Sequence, residues 1–207
     1  MRAAAALVVA VAVAVGAAAC RPPPPPVSLT GQWPDRVDPY WRVVERWTRT
    51  TRLQAEYQQV LQLSAVFKSP EWRAAHAVKD ADTRGLVGEA RLERLAQARA
   101  EDAGPYEVAL LVTTWDRREN DLDRGKRSVW HVVLIDDDGR EIEPLEIVRD
   151  KRPHFTVRAE FPALDEFATA YVARFPKTRP LLGPGIRALR LRMSSERGGV
   201  QLAWVSR

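Results

Sequence analysis

The chain has 207 residues, with 32 Lys and Arg against 27 Asp and Glu, a formal charge of +5. Its 45% hydrophobic content and seven tryptophans are enough for a buried core, which excludes a disordered tail. A single cysteine excludes an internal disulfide and a multi-thiolate metal cage.

After Met1-Arg2, residues 3–19 are apolar or glycine throughout, and the Val-rich core at 7–15 is about half of the ~20 residues that a membrane span needs. A basic start, a short apolar core and small residues before a cut describe a secretory signal over residues 1–19. Gly16-Ala17-Ala18-Ala19-Cys20 resembles the bacterial lipobox read by signal peptidase II, departing from it at Ala17, where leucine is commonest. The resemblance implies a lipoprotein acylated at Cys20. Because Arg21 rather than aspartate follows, it also implies placement in the outer membrane, facing the periplasm. The alternatives are an ordinary signal cut beside Cys20 and an uncleaved anchor helix. Two physical points favour acylation. A lone thiol on an exported protein is a liability that acylation removes, and at about 0.8 kcal/mol per buried CH₂ three acyl chains hold permanently where one holds reversibly. Export leaves no nucleic-acid partner for the basic excess, which matches GC-rich coding.

Residues 20–38 read as a lipidated cysteine and a Pro-rich linker: the run from Pro22 to Pro26 adopts polyproline II, and fully extended the linker reaches on the order of 50 Å. Asp38-Pro39 signals a helix start. Val43, Trp47, Thr50, Tyr57, Val60, Ser64 and Phe67 then recur at helical spacing, predicting one long helix. Ser69-Pro70-Glu71 starts a second helix running to about Val78, and residues 86–100 a third, with Leu92, Leu95 and Ala96 on its apolar side. Gly104-Pro105 ends this helical segment, 39–103.

From Tyr106 the period becomes two. Residues 106–115 and 128–135 are apolar on both faces, as in covered strands. Asp137-Asp138-Gly139 is a hairpin turn into residues 141–148, where Pro144 marks an edge or a bulge. Residues 155–161 alternate strictly and predict a strand. Residues 168–175, the Leu189-Leu191-Met193 alternation and the segment after Gly198-Gly199 complete about seven strands. The fold class expected is α+β: an N-terminal helical segment followed by an antiparallel, immunoglobulin-like β-sandwich over 104–207. Asn120-Asp121-Leu122, Trp130, the Asp-Gly turn, Pro144-Leu145, Ile147, Arg174-Phe175-Pro176 and Leu202-Ala203-Trp204 are similar to a domain of uncharacterised bacterial envelope lipoproteins, a resemblance that implies no activity.

Catalytic and metal signatures are missing from the sequence. His131 sits inside a strand, His154 in a loop and His76 on a helix surface, none with a partner by motif. Asp121-x-Asp123-x-Gly125 falls short of a calcium loop, with Val132 where glutamate should stand, and Asp136-Asp137-Asp138 is a turn first. Accordingly no catalytic residue, cofactor or metal is expected. Residues 151–207 hold eleven Lys or Arg against four acids, and Arg190 and Arg192 project from one face of their strand as candidate anion-binding residues. The preferred reading is a lipid-anchored, non-catalytic protein-interaction or scaffold module whose partners are the membrane, through its anchor, and an envelope protein. The alternative is binding of anionic envelope components, such as phospholipid headgroups, by the basic sheet face; an enzyme ranks last.

Overall fold

The computed structural model describes residues 24–55 and 57–206, so Cys20 and the signal segment lie outside the described residues. In chain order the elements are α1 (Tyr40–Trp47), β1 (Thr48–Ala55), β2 (Gln58–Phe67), α2 (Pro70–Thr83), α3 (Gly88–Ala103), β3 (Tyr106–Thr114), β4 (His131–Ile135), β5 (Glu141–Ile142), β6 (Glu146–Arg149), α4 (His154–Glu160), β7 (Thr169–Phe175), β8 (Ala188–Ser195) and β9 (Gly198–Val205). The class is α+β, with antiparallel sheets: one of five strands in the order β1-β2-β3-β7-β6 and one of four in the order β5-β4-β8-β9. No helix among the described residues is long and apolar enough to cross a membrane.

The long helix expected from Val43 onward is instead α1 followed by the β1–β2 hairpin. Val43, Trp47, Val60 and Phe67 of the predicted stripe are buried and Tyr57 is exposed, but Leu61, Leu63, Ala65 and Phe67 also alternate, and all four are fully buried. Thr48, Thr50 and Thr51 are β-branched and suit a strand, and Tyr57 makes the turn with a left-handed φ of 67°. The helical segment is therefore helical only in part, and its hairpin joins β3 from beyond Gly104 in one sheet. The strand expected over 155–161 is also corrected: it is α4, begun just after Pro153, whose fixed φ suits the entry to a helix. Pro144 separates β5 from β6, which belong to different sheets.

Local signals hold where their chemistry is local. Ser69 Oγ accepts the Trp72 N–H at 3.1 Å and Pro70 opens α2. Gly139, at φ +84°, turns β4 into β5. On one face of the larger sheet, Phe67 meets Trp204 of β9 with ring centroids 6.0 Å apart, so both sheets share a core. Its other face is covered by helix and loop: Asp165 accepts from Gln62 and Thr113, and Phe161 stacks on Trp72 at 5.8 Å.

The linker does not stand off as a stalk over its described part. Val27 and Leu29 are buried, the Val27 N–H donates to Val205 O at 3.0 Å, and Gly183 donates to Leu29 O at 2.7 Å. Arg49, only 4% exposed, locks this arrangement. Its Nε donates to Ala203 O at 2.7 Å, Nη1 to Arg46 O and Thr48 O at 2.8 and 2.9 Å, and Nη2 to Pro25 O at 2.8 Å. Removing such a donor orphans several carbonyls at about 1–3 kcal/mol each where water cannot reach them. Arg49→Met should therefore lower the unfolding free energy by about 3 kcal/mol, read as a drop in the urea midpoint. Arg49→Lys should recover little, because an ammonium cannot reproduce the planar fork.

Candidate functional site

A cleft of about 390 Å³ opens between α2, α3 and the segment that runs from β6 into α4. The five-stranded sheet contributes part of its lining through register. Glu107 on β3 lies opposite Arg174 on β7, which lies opposite Glu146 on β6, so the three side chains form one cross-strand ladder. Arg174 bonds both acids, reaching Glu107 at 2.9 Å and Glu146 at 2.5 Å.

Helix α2 supplies Trp72, Arg73 and His76. His76, one turn beyond Trp72, stacks flat on the indole with centroids 4.8 Å apart. Arg73 is 6% exposed and faces Glu101, Asp102 and Glu107 at 3.6, 3.7 and 3.3 Å. Lys68, at the end of β2, adds a 3.3 Å ion pair to Glu107. Arg94 comes from α3 and bonds Asp80 through Nε at 2.7 Å. Across the cleft, Arg152 bridges Asp150 and Glu160, both at 2.6 Å.

Six cations (Lys68, Arg73, Arg94, Lys151, Arg152 and Arg174) stand in the lining against four carboxylates, Glu101, Glu107, Asp150 and Glu160, a net of +2; Arg149 also borders the cleft, but its guanidinium turns to the other face of the sheet, against the Tyr171 ring and Asn120 O. Burial would raise Glu107, but Lys68, Arg174 and Arg73 outweigh it and hold its pKa at about 2. Burial likewise pulls His76 down to about 4 against the opposing pull of Glu160, so the imidazole is neutral at pH 7 and its 3.8 Å approach to Glu160 is not an ion pair there. Acids behind the lining answer part of this charge, Asp102 lying 3.7 Å from Arg73 Nε and Asp80 bonding Arg94, while Arg73 Nε and Arg94 Nη1 make no hydrogen bond. Lys151 makes no hydrogen bond or ion pair with the described residues. An oxyanion entering the cleft would meet this free ammonium beside the Arg152 guanidinium, groups that suit carboxylate or phosphate.

The residues singled out in the sequence lie elsewhere. Arg190 and Arg192 are partly exposed on β8, between core-facing Leu189, Leu191 and Met193, and Arg192 is paired with Glu141 at 2.7 Å. His131 is exposed, its ring 2.8 Å from Glu143. His154 sits at the start of α4, 3.0 Å from Asp165 O. Asp121 is buried and accepts from Ser128 Oγ and the Val129 N–H, closing its own loop, and Asp137 accepts the Ala188 N–H at 3.1 Å, fixing the start of β8. Cys20 lies outside the described residues. The cleft itself escaped sequence reading because its members are scattered over more than a hundred positions. Two local signals pointed to it: the one-turn spacing of Trp72 and His76, and the adjacent cations Lys151-Arg152 after a strand.

No protein-family model matches the chain, and no curated protein or solved structure matches it significantly.

The two shifted groups set a pH dependence with a definite sign. A histidine whose folded pKa lies below its unfolded value, 6.5, favours unfolding as the pH falls from 6.5 to 4, because only the unfolded form takes up the proton readily. Glu107 stabilises above 4.5, and that contribution is lost as the pH falls toward 2. Urea titrations across this range should show stability declining below pH 6.5, and His76→Gln should flatten the 6.5-to-4 portion while leaving the more acidic loss intact.

Proposed function

We propose that the protein is a non-catalytic binding module of the bacterial cell envelope, exported, acylated at Cys20 and held at the outer membrane facing the periplasm, and that it binds its ligand through an anionic group received in the α2–α3–β6 cleft. One observation carries this reading: a concave site whose lining cations outnumber its lining carboxylates by two, with the Lys151 ammonium free of any partner among the described residues. The ligand class is thus an envelope component bearing phosphate or carboxylate. This moves the anion-binding role from the β8 face, where Glu141 already answers Arg192, to the cleft. An immunoglobulin-like strand arrangement is no part of the reading.

A protein partner, the other reading, is favoured by α3. Leu92 is 67% exposed and Val87, just before the helix, 79% exposed, although Leu92 belongs to the side expected to be apolar. Such residues suit a contact with another chain, and the anionic group could be borne by that partner.

Isothermal titration of the full-length chain in detergent with inorganic pyrophosphate, and separately with citrate, tests the cleft. Binding should be stronger at low salt than at high. The variant Lys151→Glu should weaken it by about tenfold, whereas Arg190→Glu with Arg192→Glu should leave it unchanged. Absence of binding to either anion, or an equal loss from the β8 pair, would overturn the assignment.

A further inference from the structure

The described chain begins at Pro24, on the rim of a second and larger groove of about 1120 Å³. Its walls come from α1 (Trp41, Val44, Glu45), from the start of β1, from the end of β9 through Val205, and from Pro162-Ala163. Pro25 is pinned there by the Arg49 guanidinium, and Val27 is pinned to the end of β9, so the direction from which the chain arrives is fixed by the fold. Four peptide units separate Cys20 from Pro24, and at 3.3–3.6 Å per residue they span at most about 14 Å.

We infer that the groove rim, with Trp41 and Val205 at its edges, is the face that rests on the lipid bilayer. This rests on acylation of Cys20. An acylated cysteine sits at the headgroup level, so the tether keeps Pro24 within about 14 Å of the membrane surface. The face around Pro24 is therefore the one held next to the lipid. The side chains there suit that position. Trp41 is 61% exposed and Val205 50% exposed, large apolar groups that the fold leaves half or more open. The Arg42 guanidinium lies 4.9 Å from the Trp41 ring centroid. An exposed indole with a cation beside it is the pairing found at membrane interfaces, where the ring enters the headgroup region and the charge meets phosphate. The Arg49 lock then has a consequence beyond stability. It holds the domain in one orientation on the bilayer instead of letting it sample all of them.

The test uses the full-length chain purified from the host envelope and reconstituted in vesicles of phosphatidylethanolamine and phosphatidylglycerol. Single cysteines are introduced as Glu45→Cys and Val205→Cys at the groove, and as Glu196→Cys at the opposite end of the β8–β9 hairpin, about 23 Å away along β9 at 3.3 Å per residue. Each is labelled with an environment-sensitive fluorophore and quenched with nitroxide lipids. Quenching at 45 and 205 should exceed that at 196 several-fold, and Trp41→Ser should reduce it at both groove positions. Intact mass of the same preparations reports the acyl groups independently. A chain whose mass shows acylation but whose three positions quench equally, or not at all, overturns the orientation while leaving the anchor standing. A mass without acyl groups overturns the anchor, and the orientation with it.

Discussion

The structure depends on how the Arg49 guanidinium is satisfied. It is a buried cation with no carboxylate bonded to it; its acceptors are carbonyl oxygens at the end of α1, at the start of β1, on β9 and at Pro25. Burial pulls its pKa down to about 10, which still leaves it charged at neutral pH. A planar fork with five donors can serve several acceptors at once, which an ammonium cannot do with the same geometry. The strands it joins, β1 and β9, are the outer strands of their respective sheets. Unprotected sheet edges invite pairing with other chains. Here the β9 edge is occupied by Arg49 on Ala203 and by the bridge from Val27, and the indole N–H of Trp204 reaches Trp47 O at 2.8 Å. The same contacts that close the seam determine where the N-terminal segment leaves the domain.

The cleft is the electrostatic opposite of that seam. Arg49 finds an acceptor for Nε, Nη1 and Nη2, whereas among the cleft cations Arg73 Nε and Arg94 Nη1 make no hydrogen bond and Lys151 is free of any described partner. Glu107 is the shared acid of Lys68, Arg73 and Arg174, with Glu101 and Asp102 also facing Arg73 and Glu146 also bonding Arg174. Partly buried cations repel one another less effectively screened than they would be in water, and an added anion relieves that repulsion as well as filling empty acceptor positions. The aromatic wall of His76, Trp72 and Phe161, stacked in near-parallel planes, stiffens one side of the cleft. Donors held on such a wall and on a sheet keep their positions, and a binding site gains affinity from groups that need no reordering.

The two surfaces rest on different constraints: the groove rim on where the N-terminal segment leaves the domain, the cationic recess on tertiary packing. Arg49 and Arg73 are both buried, but Arg49 is answered by backbone carbonyls and Arg73 by carboxylates.

The sequence by itself determined the features whose physics is local. Ser69-Pro70 starts α2 because a hydroxyl and a fixed φ suit a helix N-terminus, Gly104-Pro105 stops α3, Asp137-Asp138-Gly139 turns β4 into β5, and the alternation in β8 and β9 matches their burial. It also determined the α+β class with antiparallel sheets. Only the tertiary structure decided β1–β2 against a helix, since residues 60–67 satisfy both periods and the choice falls to the neighbour available, strand β3. It likewise decided α4 against a strand, because alternation over seven residues does not reveal what covers the segment. Arginine is illegible in sequence for a related reason: nothing in the residues around position 49, 73 or 94 shows that the side chain is buried. Burial of a cation depends on acceptors that arrive from distant segments, Ala203 and Pro25 for Arg49, Glu107 for Arg73 and Asp80 for Arg94.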